Sequence, residues 1–162
     1  QFQALLDSIS ELKNTKIIFT KANADTDGRV INTMIDDYVA KHDNTIAFTS
    51  MGQLNYLSAL QFIDAVVGNS SSGLIEAPSF KIGTIDIGDR QKGRIKTDSV
   101  ISCLPKKRNI DSAFNKMYSE EFQNTLDQVE NAYGKGGASK EIVNIIKSVN
   151  LDNIIKKPFH DI

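Results

Sequence analysis

Asn69-Ser70-Ser71-Ser72-Gly73 follows the short apolar run Ala65-Val66-Val67-Gly68. Residues of these types at a strand-to-helix turn can bind an anion, because free N–H groups and the positive end of the helix dipole converge there. A serine that merely caps the helix has the same appearance and is worth about 1 kcal/mol. The turn is not a P-loop, since no Gly-Lys-Ser/Thr follows a spacer. Glu76 comes next, and its carboxylate can accept two hydrogen bonds from the vicinal hydroxyls of a ribose; the structural alternative is a helix-start glutamate, stabilised by roughly 0.3–1 kcal/mol. The run Gly88-Asp89-Arg90-Gln91-Lys92-Gly93-Arg94 carries three cations. It either brings Arg90 to a phosphate, which suits a planar guanidinium, or is a solvated basic loop.

Other reactive residue types carry less. His42 falls in a polar turn and His160 near the chain end, both read as surface residues. Asp25 and Asp27 share a loop rich in turn formers. Cys103 is the only cysteine, so a disulfide within the chain is excluded and a Cys/His metal cluster has no material. No cofactor or metal is expected.

The elements that must position these residues follow from periodicity. Phe2, Leu5, Leu6, Ile9 and Leu12 make a helical stripe, and Val30, Ile31, Met34, Ile35, Tyr38 and Val39 make a second. A third helix is predicted over 53–63, a fourth over 72–80, and two or three more toward the end, the last carrying Ile142, Val143, Ile145, Ile146 and Val149. Short β-branched runs lie between them at 16–20, 45–50, 65–68, 84–87 and 99–102. Tyr133-Gly134-Lys135-Gly136-Gly137-Ala138-Ser139 is read as a turn with Ser139 capping the last helix. Strands alternating with helices specify an α/β, Rossmann-like, mainly parallel sheet flanked by helices. In such a sheet ligands bind beyond the carboxyl ends of the strands, which directs attention to the loops 21–28, 50–53 and 69–73.

The 162 residues, 40% hydrophobic and 24% charged, suffice for one domain with a real core. A net charge of -1 gives no general reason to expect nucleic acid or a membrane as partner. Affinity for phosphate must therefore be local. Without a signal-peptide pattern or a long apolar run, the protein is expected to be soluble and cytoplasmic. The chain starts directly on a helical pattern, and the expectation is a piece of a longer protein.

Taken together, Phe19-Thr-Lys-Ala-Asn-Ala-Asp-Thr-Asp-Gly-Arg29, Asn69-Ser-Ser-Ser-Gly-Leu-Ile-Glu-Ala-Pro-Ser-Phe80, Ile87-Gly-Asp-Arg-Gln-Lys-Gly-Arg94 and the glycine-rich run 133–139 resemble the hydrolysing UDP-N-acetylglucosamine 2-epimerases. The resemblance implies a two-domain, glycosyltransferase-like (GT-B) fold with the nucleotide sugar between paired Rossmann domains. This chain, 1–162, would be the carboxyl-terminal, UDP-binding half, without the domain's first strand and without the amino-terminal domain. Carried over by position, Ser70 and Ser71 would hold the diphosphate, Glu76 the ribose and Arg90 the nucleotide, with Asn23 and Met51 beside the uracil. The implied reaction is loss of UDP across C1–C2 to give a glycal, then hydration to N-acetylmannosamine, for sialic acid or related synthesis. The acidic catalytic groups would lie on the other domain, so none is expected here and the fragment alone should be inactive. The parent is expected to be a homo-oligomer. Two positions depart from the family pattern: Lys81 and Gly83 stand where a glycine and a proline are usual.

Three alternatives remain open at this level. The substrate could be UDP-N,N'-diacetylbacillosamine, the parent could be a UDP-sugar glycosyltransferase, or the chain could be a non-catalytic nucleotide-binding module.

Overall fold

A computed structural model describes residues 1–22, 26–134 and 136–152. The order is α1 (Phe2–Ile9), β1 (Ile17–Thr20), α2 (Thr26–Val39), β2 (Thr45–Phe48), α3 (Gly52–Ala59), β3 (Ala65–Gly68), α4 (Ser72–Ile75), a 3-10 turn (Ala77–Phe80), β4 (Gly83–Ile87), β5 (Val100–Cys103), α5 (Lys107–Met117), α6 (Glu120–Leu126) and α7 (Ala138–Ser148). Every strand pairing is parallel, as the alternation of strands and helices requires. The strands form two sheets, β1–β2 and β3–β4–β5, where the sequence pattern suggests one. Within the described residues β1 and β3 each pair on one side only.

Both sheets nevertheless share one core. Leu6 and Ile9 of α1, Phe19 of β1, and Ile35 and Tyr38 of α2 belong to the same buried cluster as Ile85, Ile101, Ile110, Ala113, Phe114 and Met117. Burying a side chain of this size stabilises by about 1.5–3 kcal/mol. Phe19 meets the Tyr38 ring edge-on at 5.8 Å, and Tyr38 stacks on His42 at 3.8 Å. His42 also bonds the Tyr38 carbonyl through Nδ1 at 2.7 Å. It is half-buried packing rather than a free surface residue.

Side chains alternate along β4, so its two faces do different work. Ile85 faces the α5 side of the core. Thr84 faces α4, where its Oγ1 donates to the Gly73 carbonyl at 2.8 Å. The α4 approach is close enough that a Cβ on Gly73 would lie 2.5 Å from Thr84 Cγ2. This places the serine turn beyond the carboxyl end of β3, against the central strand of its sheet.

Several boundaries differ from the periodicity. The helix expected over 72–80 is one α-turn followed by a 3-10 turn; Pro78 has no N–H to continue an α-helical ladder. α3 ends at Ala59, and Leu54 and Phe62 around it are exposed, leaving tertiary packing little to extend it with. The last helix starts two residues earlier than expected. Gly137, in the left-handed region, occupies its N-cap, and Ser139 lies inside the helix. Its apolar residues Ile142, Val143, Ile145, Ile146 and Val149 are all exposed.

The two departures at 81 and 83 have local explanations. Lys81 is left-handed (φ 56) at the end of the 3-10 turn, the conformation glycine adopts without strain. Its ammonium donates to the Asp127 carbonyl. Gly83 is buried under α5 and α6, and a Cβ there would lie 2.3 Å from Met117 Sδ. A proline ring has no room against this methionine.

Two stability predictions follow from these contacts in the full-length protein. Gly83→Ala should destabilise by about 1–3 kcal/mol through overpacking against Met117, measured by urea denaturation. The second concerns Lys107, which bridges Glu11, in the turn after α1, and Asp111 of α5 at 2.9 Å each. Its hydrogen bond holds the Asp111 carboxyl below the usual range. A carboxyl depressed on folding stabilises above its unfolded pKa, and that contribution disappears as pH falls through the folded value. Lys107→Met should therefore flatten the acid limb of the stability profile and leave its shape near neutrality unchanged, measured by thermal melts across pH.

Candidate functional site

The serine turn is built from local hydrogen bonds. Ser70 Oγ accepts the Ser72 N–H at 3.3 Å, while the N–H groups of Gly73, Leu74 and Ile75 turn back onto the carbonyls of Ser70 and Ser71. The N–H groups of Ser70 and Ser71 donate to no acceptor among the described residues. Ser71 is the N-cap of α4, and its side chain makes no capping bond. Simple capping by Ser71 is therefore not what these residues are doing. With a helix of a single turn, the donors at this spot are two open peptides and the serine hydroxyls rather than a long macrodipole. Gly68, with φ 148, provides the reversal that leads out of β3.

Glu76 does not sit on a second helical turn as the sequence suggests; it is the C-cap of α4. Its Oε2 is buried and has no hydrogen-bond partner among the described residues. A buried acceptor without a donor costs free energy, so this carboxylate is set to receive one.

Tyr56 completes the arrangement and was not singled out by sequence reasoning. Its hydroxyl hydrogen-bonds Ser72 Oγ, which ties α3 to α4. Burial pushes the Tyr56 phenol above its ordinary range; the bond with Ser72 opposes this, and the Glu76 charge reinforces it. The phenol is consequently a neutral donor or acceptor near pH 7. The signal available in the sequence was a tyrosine within the 53–63 run, which reads equally well as a helix-face aromatic.

The basic loop is anchored rather than free. Gln91 is almost fully buried and its Nε2 donates to the Asn69 carbonyl at 2.7 Å, joining the loop to the serine turn. Positive φ at Gly88 and Gly93 lets the chain turn tightly on either side of it. Arg90 and Arg94 are exposed and form no ion pair or side-chain hydrogen bond with the described residues. Met51 is the half-buried N-cap of α3, one helical turn before Tyr56. Asn23 and Asp25 lie outside the described residues. Ala22, immediately before them, is clamped by Asn32, whose side chain bonds both its N–H (2.9 Å) and its carbonyl (3.1 Å).

The structure thus brings Ser70, Ser71, Ser72, Glu76 and Tyr56 together, with Gln91 joined to them through Asn69. Arg90 is exposed and Met51 half-buried. Asn69 and Ser70 are exposed; two shallow depressions flank the 127–131 segment, and neither is lined by Ser70, Ser71 or Glu76. Among the described residues no three His, Cys, Asp or Glu side chains are grouped to hold a metal ion, and no helix is long and apolar enough to cross a membrane. Burial, and secondarily Asp86, raises the Cys103 thiol, the opposite of an activated nucleophile.

Comparison with known proteins gives a consistent result. The family model for UDP-N-acetylglucosamine 2-epimerase matches residues 1–147. The chain is 41% identical to the GDP/UDP-N,N'-diacetylbacillosamine 2-epimerase (hydrolyzing) of Campylobacter jejuni, and 38% identical to polysialic acid biosynthesis protein P7 of Escherichia coli. In each case the match covers 100% of this chain and 42% of the relative. The chain therefore spans about two-fifths of the length of these relatives. Among solved structures, the S. aureus MnaA–UDP co-structure superposes with a TM-score of 0.73 at 21% identity, covering 97% of this chain and 42% of that one. The UDP-GlcNAc 2-epimerase from Neisseria meningitidis bound to UDP-GlcNAc gives 0.68 at 18% identity, covering 91% and 40%. At such identities the superpositions establish the shared α/β fold, that of one part of a GT-B-like enzyme. With the family model covering nearly all the described residues, the chain belongs to the UDP-N-acetylglucosamine 2-epimerase family.

Proposed function

We propose that this chain is the carboxyl-terminal, UDP-binding half of a hydrolysing 2-epimerase acting on a UDP-linked 2-acetamido sugar. The observation that carries this reading is the pairing of two open peptide donors, at Ser70 and Ser71, with the buried unpartnered oxygen of Glu76. A nucleoside diphosphate offers the complementary pair, an anion for the donors and vicinal ribose hydroxyls for the carboxylate. Arg90 and Met51 would approach from the rim, and Asn23 would join Met51 at the base.

Departure of UDP across C1–C2 places negative charge on the diphosphate. Donors fixed on a rigid turn then stabilise the transition state more than the ground state. The proton at C2 needs a base, which we assign to the amino-terminal domain. Addition of water to the resulting glycal yields the free 2-epimeric sugar. The open face of the serine turn supports this division, since a nucleotide here has one wall and requires another.

The split sheet supports the same assignment. One parallel strand placed between β1 and β3 gives the order β2-β1-strand-β3-β4-β5, the doubly wound arrangement with its switch point beside the serine turn. We assign that strand to the parent protein, immediately before α1. The parent is a soluble cytoplasmic homo-oligomer in this reading.

A second reading concerns the sugar. The 41% identity to the C. jejuni protein favours N,N'-diacetylbacillosamine over N-acetylglucosamine as the sugar. Comparing kcat/KM for the two UDP-sugars with the full-length enzyme decides it, the true substrate exceeding the other by about tenfold or more, as a site that hydrogen-bonds one group discriminates.

Variants of the full-length enzyme test the site itself. Ser71→Ala should lower kcat for UDP release by about 10–100-fold, the loss of one donor to a developing anion. Glu76→Gln should raise KM by about tenfold or more, the loss of a hydrogen bond to a charged group. Unchanged turnover in both variants would remove the nucleotide from this turn. The isolated chain is expected to release no UDP at all.

A further inference from the structure

Asp86 is an unusual residue to find where it is. It lies in the middle of the three-stranded sheet, in register with Gly68 on one side and Ser102 on the other, and is 1% exposed. A buried carboxylate is retained only with a counter-charge. Lys96 provides it: Nζ donates to Asp86 Oδ2 at 2.7 Å and to Ser102 Oγ at 2.7 Å. Lys96 belongs to the loop after β4, the same loop that Gln91 attaches to Asn69. The segment between Ile87 and Val100 is thus held at two points on the carboxyl ends of β3, β4 and β5. Arg90 sits just before the first anchor, with Lys92 and Arg94 between the two, and all three are exposed.

We propose that the Asp86–Lys96 pair is a positioning device that holds the basic loop beside the serine turn, so that Arg90 and Arg94 meet the diphosphate without first being ordered. The proposal rests on the nucleotide site described above and names the residues that prearrange it. Neither Asp86 nor Lys96 touches the ligand. Their role is to remove in advance the entropic cost of fixing a loop of flexible cations. The geometry gives Lys96 this role and not merely a charge-neutralising one. A lysine serving only to neutralise Asp86 could come from any element, whereas this one is the loop's second attachment, ten residues along the chain from its partner. Its second acceptor, Ser102, spreads the attachment over two strands.

The test uses the full-length enzyme carrying Lys96→Met, which keeps the aliphatic stem and removes both hydrogen bonds. The expected result is a KM for the UDP-sugar raised about tenfold with kcat within about twofold, the signature of lost binding preorganisation. Trypsin should also cut after Arg90, Lys92 or Arg94 about tenfold faster in the absence of nucleotide, because the loop opens locally. Saturating UDP should slow that cleavage again, and Lys96→Arg should restore most of the KM. A folded Lys96→Met enzyme with wild-type KM and wild-type cleavage overturns the proposal. So does one whose melting temperature falls while cleavage in the loop is unchanged. If Lys96→Met does not fold, Ser102→Ala removes one of the two acceptors at an exposed position. A rise in KM of about threefold with faster cleavage is then expected, and no change in either overturns the proposal. Glu76→Gln separates the two ideas. If it leaves UDP binding intact, the nucleotide site is wrong, while nucleotide-free cleavage still reports on the anchor. If it weakens UDP binding and Lys96→Met alters nothing, only the anchor fails.

Discussion

The contact of Gly73 with Thr84 is the constraint on which the site depends. Thr84 Oγ1 donates to the Gly73 carbonyl at 2.8 Å inside the protein, and there is no space for a Cβ between them. This contact seats α4 on β4, the central strand of its sheet, and α4 also packs against β3. The consequence extends in both directions along the chain. Upstream, the serines are held at the end of β3 with two N–H groups open. Downstream, Glu76 ends α4 with one carboxylate oxygen buried.

The same strand separates two kinds of work. Its α5-facing side carries Ile85, fully buried with Ile110 and Met117. Its α4-facing side carries Thr84 and Asp86, both polar and both buried. Apolar burial stabilises without direction, while the polar face fixes orientations because each buried donor and acceptor must find its partner. The acceptors without partners among the described residues, on Glu76, Asp86 and Gln91, lie in or directly after the elements around the serine turn. That concentration is a reason to look for ligand chemistry there independent of any family resemblance.

The rest of the chain carries a number of exposed apolar side chains. Ile18, Ile46 and Phe48 on the β1–β2 sheet, Leu54 and Phe62 around α3, and the stripe on α7 are exposed apolar groups in numbers that a free-standing surface rarely carries together. These exposed surfaces belong to a chain about two-fifths as long as the relatives it matches. They also account for the short α3, whose apolar positions have little to pack against among the described residues.

The alternation of β-branched runs with helical stripes was enough to read a parallel α/β fold, because both periodicities are local properties of the chain. The place of 69–73 beyond a strand end was legible for the same reason. Tertiary structure decided what those residues do with their hydrogen bonds. The carbonyl of Gly73, for example, is bonded by Thr84, eleven residues away. Tyr56 reaches Ser72 only because α3 folds back beside α4, and Asp86 finds Lys96 only because the basic loop returns over β4 and β5. The helix over 72–80 had the right residues for an α-helix apart from Pro78, and the backbone shortened it to one turn. Pairings of this kind are non-local and depend on burial, so spacing along the sequence can suggest the participants without saying which atom meets which.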